Sequence, residues 1–306
     1  QLGKDIPTTI DEWTDVLTAM KDTVKYPFSV RWRLVDLFCP FSGAFKTTNG
    51  FYVEDGKVHY GYAEAGMKDF LTTMNEWYEA GLIDPDFLSN DNAALDTKVL
   101  NGEVGSMLTT GGTLAGYMTK LNEMNSTDVW AAAPYPTQNK GETPWYIQGE
   151  TPNIGIIGAI TTACKNVPLA CQILDYCYSD EGNVFFNYGI EDVSFNYNAD
   201  GQPEYTDLYK NGPEGLGEYA AMYTPSVCGG YPAGFKSGEA GRARNSQIMR
   251  DAEDIWLEGG TEDWWLMPVL SATTEETETY TDLNSVISTY CGEMYHKFIN
   301  GEVDLD

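Results

Sequence analysis

The chain has 306 residues, of which 18 are Lys or Arg and 46 are Asp or Glu, so its formal net charge is −28 at pH 7. This length suits two domains or one large one. The acidity argues against nucleic acid and anionic membrane surfaces as partners, because both need clustered basic residues. Its simplest consequence is solubility.

Several patterns that would assign a function are missing from the sequence. No run approaches the roughly 18 apolar residues of a membrane span, and the opening residues QLGKD contain no signal peptide or lipidation cysteine. None of the six cysteines forms a CxxC pair, and buried free thiols are favoured over the disulfides that an even count permits. Residues 89–96 and 198–207 contain calcium-type oxygen ligands but fail the EF-hand pattern. We expect neither metal nor cofactor.

The first half of the chain alternates helices with short strands. Thr9 and Glu12 form a capping-box pattern that predicts a helix over 10–21. Residues 51–60 predict a β-hairpin, because Asp55-Gly56 is a favoured two-residue turn. Further helices are predicted at about 63–80, 91–101 and 113–124, and further strands at 104–108 and 130–135.

The second half begins with a polar segment, 137–152, which we interpret as a crossover or cleft loop. A buried strand is predicted over 154–163. Asn166 and Pro168 indicate the start of a helix. The residues expected to face inward from that helix are Leu169, Ile173, Leu174 and Cys177. Short helices over 179–189 and 248–257 and a long one over 283–299 follow.

Four blocks of this sequence resemble the extracellular solute-binding proteins of bacterial ABC transporters, the carbohydrate-type family 1 that mostly binds sugars. The blocks are DIPTTIDEWTDVLTAMKD, YEAGLIDPDF followed by NGEVGSM, CKNVPLACQILDYCYSDEGNVFFNYGIED, and TTEETETYTDLNSVISTYCGEMYHKFINGE. They occur in the family's order and span most of the chain. Asp192 stands where the family often has glycine.

The resemblance implies an α/β fold of the type II periplasmic-binding-protein-like architecture, with two lobes and helices flanking short mixed sheets. Residues 1–150 would form the second lobe, 151–245 a segment returning to the first lobe, and 246–306 a C-terminal helical segment. The crossover would lie near 148–155. Because the family's opening block is missing, we expect a fragment that lacks the N-terminal part, with one lobe incomplete.

The resemblance also implies a function. It is that of a non-catalytic, monomeric receptor that closes on a sugar or oligosaccharide and delivers it to the membrane permease subunits of an ABC transporter. The full-length parent would be an extracellular lipoprotein anchored at the cell surface. One alternative is a glycoside-active enzyme using Glu150, Glu191 or Asp192, although no catalytic motif supports it. A carbohydrate-adhesive surface module is the other.

Aromatic residues provide the candidate site, because rings stack on the flat faces of sugars. Trp13, Trp77 and Trp256 lie on apolar helix faces and are expected to pack in the core. Trp145 and Tyr146 instead lie in a polar loop that the resemblance places at the ligand cleft. The predicted ligand-binding set is Thr110, Gly111, Gly112, Trp145, Tyr146, Glu191, Tyr231 and Trp264. Within it, residues 110–112 would supply backbone donors after a strand end.

Overall fold

A computed structural model of the protein describes residues 2–31, 39–147, 158–213, 216–224, 237–258 and 272–305. Its contacts divide the chain into two compact units. The first comprises Gln1–Gln148 with Asp251–Asp306, and the second comprises Gly149–Arg250.

The described part of the chain contains many helices and three two-stranded sheets. The helices are α1 Ile10–Met20, α2 Cys39–Ser42, α3 Ala65–Glu79, α4 Asn92–Leu100, α5 Gly111–Glu123, α6 Val167–Tyr176, α7 Asp180–Tyr188, α8 Asp207–Asn211, α9 Leu216–Tyr223, α10 Gly238–Arg244, α11 Gln247–Leu257 and α12 Thr274–Ile299. The strands are β1 Tyr26–Ser29, β2 Phe51–Glu54, β3 Lys57–Tyr60, β4 Val104–Met107, β5 Phe195–Tyr197 and β6 Pro203–Tyr205.

Helix α1 begins where the sequence predicts, with one change in its cap. The Thr9 side chain accepts the backbone N–H of Glu12 at 3.2 Å. The Glu12 carboxylate, however, accepts from the backbone and hydroxyl of Thr8, both at 2.8 Å, instead of closing the box on Thr9. Hydrogen bonds from Thr8, first from its backbone N–H, lower the pKa of Glu12 to about 2. The acidic side chain thus fixes the residue before the cap.

The first unit is organised around a parallel strand pair. Strand β1 pairs with β4 so that Tyr26 lies opposite Val104, and Phe28 also forms an isolated parallel bridge with Ile83. Strand β4 confirms the prediction at 104–108. The strand predicted at 130–135 is wrong, because that segment joins no strand ladder. Pro134 and Pro136 lack the N–H donors that a ladder requires.

An aromatic core fills the first unit. Phe41 packs edge-on against three rings, those of Trp13 and Trp77 at centroid distances of 5.3 Å and that of Phe28 at 5.5 Å. Both tryptophans are buried, as predicted. Trp256 is half-buried, and its Nε1 donates to the Ala133 carbonyl oxygen at 3.1 Å. Helix packing therefore accounts for the two buried indoles, as their apolar spacing indicated.

A buried polar network connects three segments: strand β1, helix α4, and the turn that follows α3. The Asp84 side chain is fully buried and accepts from the Ser29 hydroxyl at 2.6 Å and from Asn90 Nδ2 at 2.8 Å. Lys98 Nζ donates to both Asp84 carboxylate oxygens, at 3.1 and 2.8 Å, and to Asp86 at 3.0 Å. Because a buried charge is costly without partners, this network stabilises the arrangement of all three segments.

The predicted hairpin is confirmed. Strands β2 and β3 pair antiparallel, and Asp55 and Gly56 form the turn with φ angles of 50° and 73°. Two consecutive positive φ angles match the type I′ turn that Asp-Gly favours. Gly61 ends the hairpin, where its N–H donates to the Gly50 carbonyl oxygen at 2.8 Å.

Replacing Gly61 by alanine is expected to reduce the free energy of unfolding by about 1–2 kcal/mol, within the range for overpacked sites. A Cβ at this position would lie 1.7 Å from the Thr48 carbonyl oxygen, so the backbone must shift. Gly116→Ala is the control, since a Cβ there meets open space in α5 and alanine favours a helix. Urea denaturation measures both variants, and equal stability of the two would contradict the prediction.

The second unit has a tyrosine-rich core beside the β5–β6 hairpin. The rings of Tyr205 and Tyr209 stack at 4.2 Å, and the Tyr209 hydroxyl bonds Thr224 Oγ1 at 2.7 Å. The buried members of this core are Tyr188, Phe195, Tyr205, Tyr209, Tyr219, Ala220 and Ala240.

Asp192 has a φ of 63°, a left-handed conformation that glycine adopts without strain. This agrees with the glycine that the resembled family often has there.

Helix α6 begins as predicted, since Asn166 Oδ1 accepts the Leu169 N–H at 3.1 Å. Its burial pattern differs from the prediction. Cys177 is buried and Leu174 half-buried, but Leu169 and Ile173 remain 50% and 55% exposed. Apolar spacing predicts which residues share a helix face, but it does not show whether another element packs against that face. No described residue covers these two side chains.

The strand predicted over 154–163 lies partly outside the described residues. Residues 158–163 contain a turn and no strand, and 154–157 are not described. The predicted crossover at 148–155 also falls outside the described residues. None of the helices in the described ranges is both long and apolar enough to cross a membrane.

Candidate functional site

An open cavity of about 430 Å³ lies in the first unit. Its lining combines a tryptophan ring with polar and charged groups. The lining residues are Gly43, Ala44, Lys46, Glu54, Thr137, Gln138, Glu142, Thr143, Pro144 and Trp145. The predicted stacking residue Trp145 therefore borders a concave surface.

The β2–β3 hairpin holds the Trp145 indole. Tyr52 and Glu54 are two residues apart on β2, so their side chains leave the same face of the strand. Glu54 Oε1 accepts the Trp145 Nε1–H at 3.2 Å, and the Tyr52 ring meets the indole edge-on at 5.2 Å and 88°. This hydrogen bond and this ring contact both orient the indole.

Tyr52 forms the support behind the indole. Its ring is buried and stacks on His59, the opposite residue of β3, at 5.0 Å and 16°. His59 Nδ1 lies 3.0 Å from Glu64 Oε1. Burial raises the pKa of Tyr52 to about 12, so its phenol is neutral at physiological pH. The indole is thus supported by a pair of stacked rings.

The loop that carries Trp145 is fixed at both ends. Thr137 donates its N–H to the Thr8 carbonyl oxygen at 3.0 Å and accepts from Ile10 at 3.1 Å. Near the other end, a Cβ on Gly43 would lie 2.7 Å from the Tyr146 Cβ, so glycine permits this close approach. Tyr146 is half-buried and meets the Tyr135 ring at 6.2 Å. The described lining does not include Tyr146, although it approaches the lining residue Gly43, and its role as a stacking residue stays a prediction.

Among the described lining residues, the charged groups of the cavity are two carboxylates and one ammonium. Glu142 accepts from Asn139 Nδ2 at 2.7 Å and from the Asn139 N–H at 3.1 Å. These bonds, the side-chain bond first, together with the charge of Lys46, lower the pKa of Glu142. With Glu54 as the second carboxylate and Lys46 as the ammonium, the lining is net negative by one charge.

Residues 110–112 lie elsewhere in the first unit. They follow β4 and form the N-terminus of α5, where Thr110 is the N-cap and accepts the Thr113 N–H at 3.4 Å. Within the described part of the chain, the cavity lining does not include Thr110, Gly111 or Gly112. Their role in ligand binding stays a prediction.

The remaining predicted site residues lie in the second unit or outside the described residues. Glu191 belongs to the second unit, where it is exposed and forms an isolated bridge with Phe195. Tyr231, Trp264 and the alternative catalytic residue Glu150 lie outside the described residues. Their assignments stay predictions.

Sequence reasoning missed four charged or amide residues that line the cavity: Lys46, Glu54, Gln138 and Glu142. A signal existed for two of them, because Gln138 and Glu142 lie in the segment interpreted as a cleft loop. The predicted hairpin places Glu54 on the same face as Tyr52, but no local pattern links that face to Trp145. Lys46 has no such local signal.

The arrangement is suited to binding a polar molecule that has one flat apolar face. The indole offers a stacking surface, while carboxylate, amide and hydroxyl groups offer hydrogen bonds around it. Among the described residues, no group of three or more His, Cys, Asp or Glu side chains could hold a metal ion.

Sequence comparisons identify the family. The model of the bacterial extracellular solute-binding protein family matches residues 1–184, which is more than half of the chain. The lipoprotein LipO of Bacillus subtilis (strain 168) is 22% identical over 322 aligned positions, covering 99% of this chain and 61% of the relative.

Solved structures share the fold. The alginate-binding protein AlgQ2 matches with a TM-score of 0.68 and 19% identity, over 99% of this chain and 63% of that one. An extracellular solute-binding protein from Bifidobacterium longum subsp. infantis matches with a TM-score of 0.64 and 14% identity, over 98% of this chain and 64% of that one. S. pneumoniae FusA, solved with fructo-nystose, matches with a TM-score of 0.58 and 17% identity, over 98% of this chain and 63% of that one.

The chain therefore spans about three-fifths of the length of the relatives it matches. The structural matches confirm the predicted α/β fold of the two-lobed solute-binding type. The family match confirms the resemblance that the four sequence blocks indicated. This chain belongs to the family of bacterial extracellular solute-binding proteins.

Proposed function

We propose that this protein is a non-catalytic receptor that binds a sugar or oligosaccharide. The observation that carries the proposal is the cavity in which a fixed indole stands beside acceptor and donor groups. Such a combination fits a sugar ring, whose C–H face stacks on an aromatic ring while its hydroxyls form hydrogen bonds at the rim. The names of AlgQ2 and FusA, which state alginate and fructo-nystose as ligands of those proteins, support the same class.

The wider role follows the family. As an extracellular receptor, the full-length protein would be anchored at the cell surface as a lipoprotein and would deliver its ligand to the permease of an ABC transporter. Binding would shift an equilibrium between open and closed arrangements of two lobes. The proposed further ligand contacts are Tyr146, residues 110–112, Glu191, Tyr231 and Trp264, and the protein is proposed to act as a monomer.

Isothermal titration calorimetry against mono- and oligosaccharides, with a polyol and a short peptide as comparison ligands, tests this function. We expect saturable binding of at least one carbohydrate and no release of cleaved products during prolonged incubation. Cleavage at enzymatic rates would contradict the receptor assignment and favour the glycoside-active alternative. Binding of only the peptide would contradict the ligand class.

A further inference from the structure

The charges that line the cavity allow the ligand class to be narrowed. Glu54 and Glu142 supply two carboxylates, whereas Lys46 supplies the single cation of the described lining. The chain as a whole has a net charge of −28, so the surrounding potential has the same sign as the lining. An anionic ligand would therefore meet repulsion both on approach and at the site.

Hydrogen-bonding capacity leads to the same conclusion. Ionised carboxylates only accept hydrogen bonds, so Glu54 and Glu142 can form hydrogen bonds only with ligand groups that donate. Hydroxyl and ammonium groups on a sugar donate, but the carboxylate of a uronate does not. Glu54 already accepts the Trp145 indole N–H, which fixes this carboxylate at the edge of the stacking surface. Asn139 fixes Glu142 in the same way, with a side-chain bond of 2.7 Å.

We infer that this cavity accepts uncharged and amino-bearing sugars and rejects uronates. The inference rests on the proposed function and deepens it, because it separates this chain from a receptor for an acidic polysaccharide even though an alginate-binding protein shares its fold. Two like charges about 4 Å apart in water repel by an energy equivalent to about fivefold in affinity. A uronate oligomer next to both glutamates is thus expected to bind at least fivefold more weakly than its neutral counterpart.

The test compares oligosaccharides of equal length and linkage that differ only in charge. The strongest neutral ligand from a carbohydrate panel is titrated beside its uronate and amino-sugar counterparts at low and high salt. We expect the order amino or neutral above uronate, with the difference shrinking at high salt because exposed charges are screened. The net charge of −28 contributes to the same salt dependence, so the glutamates are separated from the surrounding potential by variants.

Variants identify the responsible groups. Glu54→Gln and Glu142→Gln keep a side-chain oxygen for Trp145 and Asn139 but remove the charge, so each should narrow the neutral-to-uronate ratio by about fivefold. Glu123→Gln is the matched control, because Glu123 is exposed on α5 and outside the described lining. It should leave the ratio unchanged.

The outcomes distinguish failure of the proposed function from failure of the inference about ligand charge. If no oligosaccharide of any charge binds the wild-type protein or its variants, the proposed function fails, and this inference fails with it. If a uronate binds as tightly as its neutral counterpart, only the inference fails. An unchanged ratio in both glutamine variants would likewise overturn it.

Discussion

Asp84→Ala is expected to reduce the free energy of unfolding by about 3 kcal/mol, the lower end of the range for breaking a buried ion pair. The substitution removes the acceptor for Ser29, Asn90 and Lys98 in one step. The lower end applies because the Lys98 ammonium keeps its hydrogen bonds to Asp86 and to the Asn90 side-chain oxygen, at 3.0 and 2.9 Å. Urea denaturation followed by circular dichroism measures the change.

Two further variants make this prediction specific. Asp86→Ala is the matched control, since the Asp86 side chain is 57% exposed and should contribute well under 1 kcal/mol. Lys98→Met leaves Asp84 buried without its cation and should be nearly as destabilising as Asp84→Ala. An Asp84→Ala protein as stable as Asp86→Ala would show that the network does not hold β1 against α4.

Acid should also remove the contribution of the Asp84 carboxylate to the free energy of unfolding. Burial raises the pKa of Asp84, but hydrogen bonds from Lys98, Ser29 and Asn90 outweigh burial, so the folded-state pKa lies below the ordinary value of 3.8. A depressed folded-state pKa adds stability above the unfolded-state pKa, and this stability is lost as the pH falls through the folded-state pKa. The difference in unfolding free energy between wild type and Asp84→Asn should therefore shrink below about pH 4.

Trp145→Ala is expected to weaken carbohydrate binding by about 1–3 kcal/mol, or about 5- to 150-fold in Kd. The substitution removes the only aromatic ring in the described cavity lining. Since the indole is oriented by Glu54 and Tyr52, its stacking surface is organised before the ligand arrives. Calorimetry with the strongest carbohydrate ligand measures the loss.

Two control variants separate stacking from a general disturbance. Trp145→Phe retains an aromatic face but loses the hydrogen bond to Glu54, so it should bind with intermediate affinity. Tyr290→Ala removes an aromatic side chain that is 63% exposed on α12 and should not change binding. If Trp145→Ala binds as well as wild type, the ligand site lies elsewhere, while the family assignment remains.

Local sequence predicted the starts of α1 and α6 and the hairpin turn, but α12 begins at Thr274, nine residues before the predicted start at 283. The Thr9 and Asn166 caps, and the turn at Asp55-Gly56, involve residues within four positions of each other, so nearest-neighbour chemistry is sufficient. The same reasoning predicted β4 but missed β1. Strand β1 is four residues long, fully buried, and contains Pro27, so it shows no alternation of apolar and polar residues.

The candidate site could be predicted only in part. Trp145 and Tyr146 were predictable as site residues, because they are aromatic residues in a polar loop and no amphipathic pattern explains their presence there. The glutamate that orients the indole is 91 positions away in sequence, and the register of a distant hairpin brings it there. No local pattern contains that information.

The sequence alone determined the family, the helix caps and the hairpin turn, since each depends on short stretches of neighbouring residues. Tertiary structure decided which strands pair, which apolar faces are covered, and which charges share a cavity. Ser29 and Asp84, 55 positions apart, meet in the interior, and Leu169 stays exposed despite its helical spacing. Such contacts depend on packing of the whole chain, because burial is a property of neighbours in space and not in sequence.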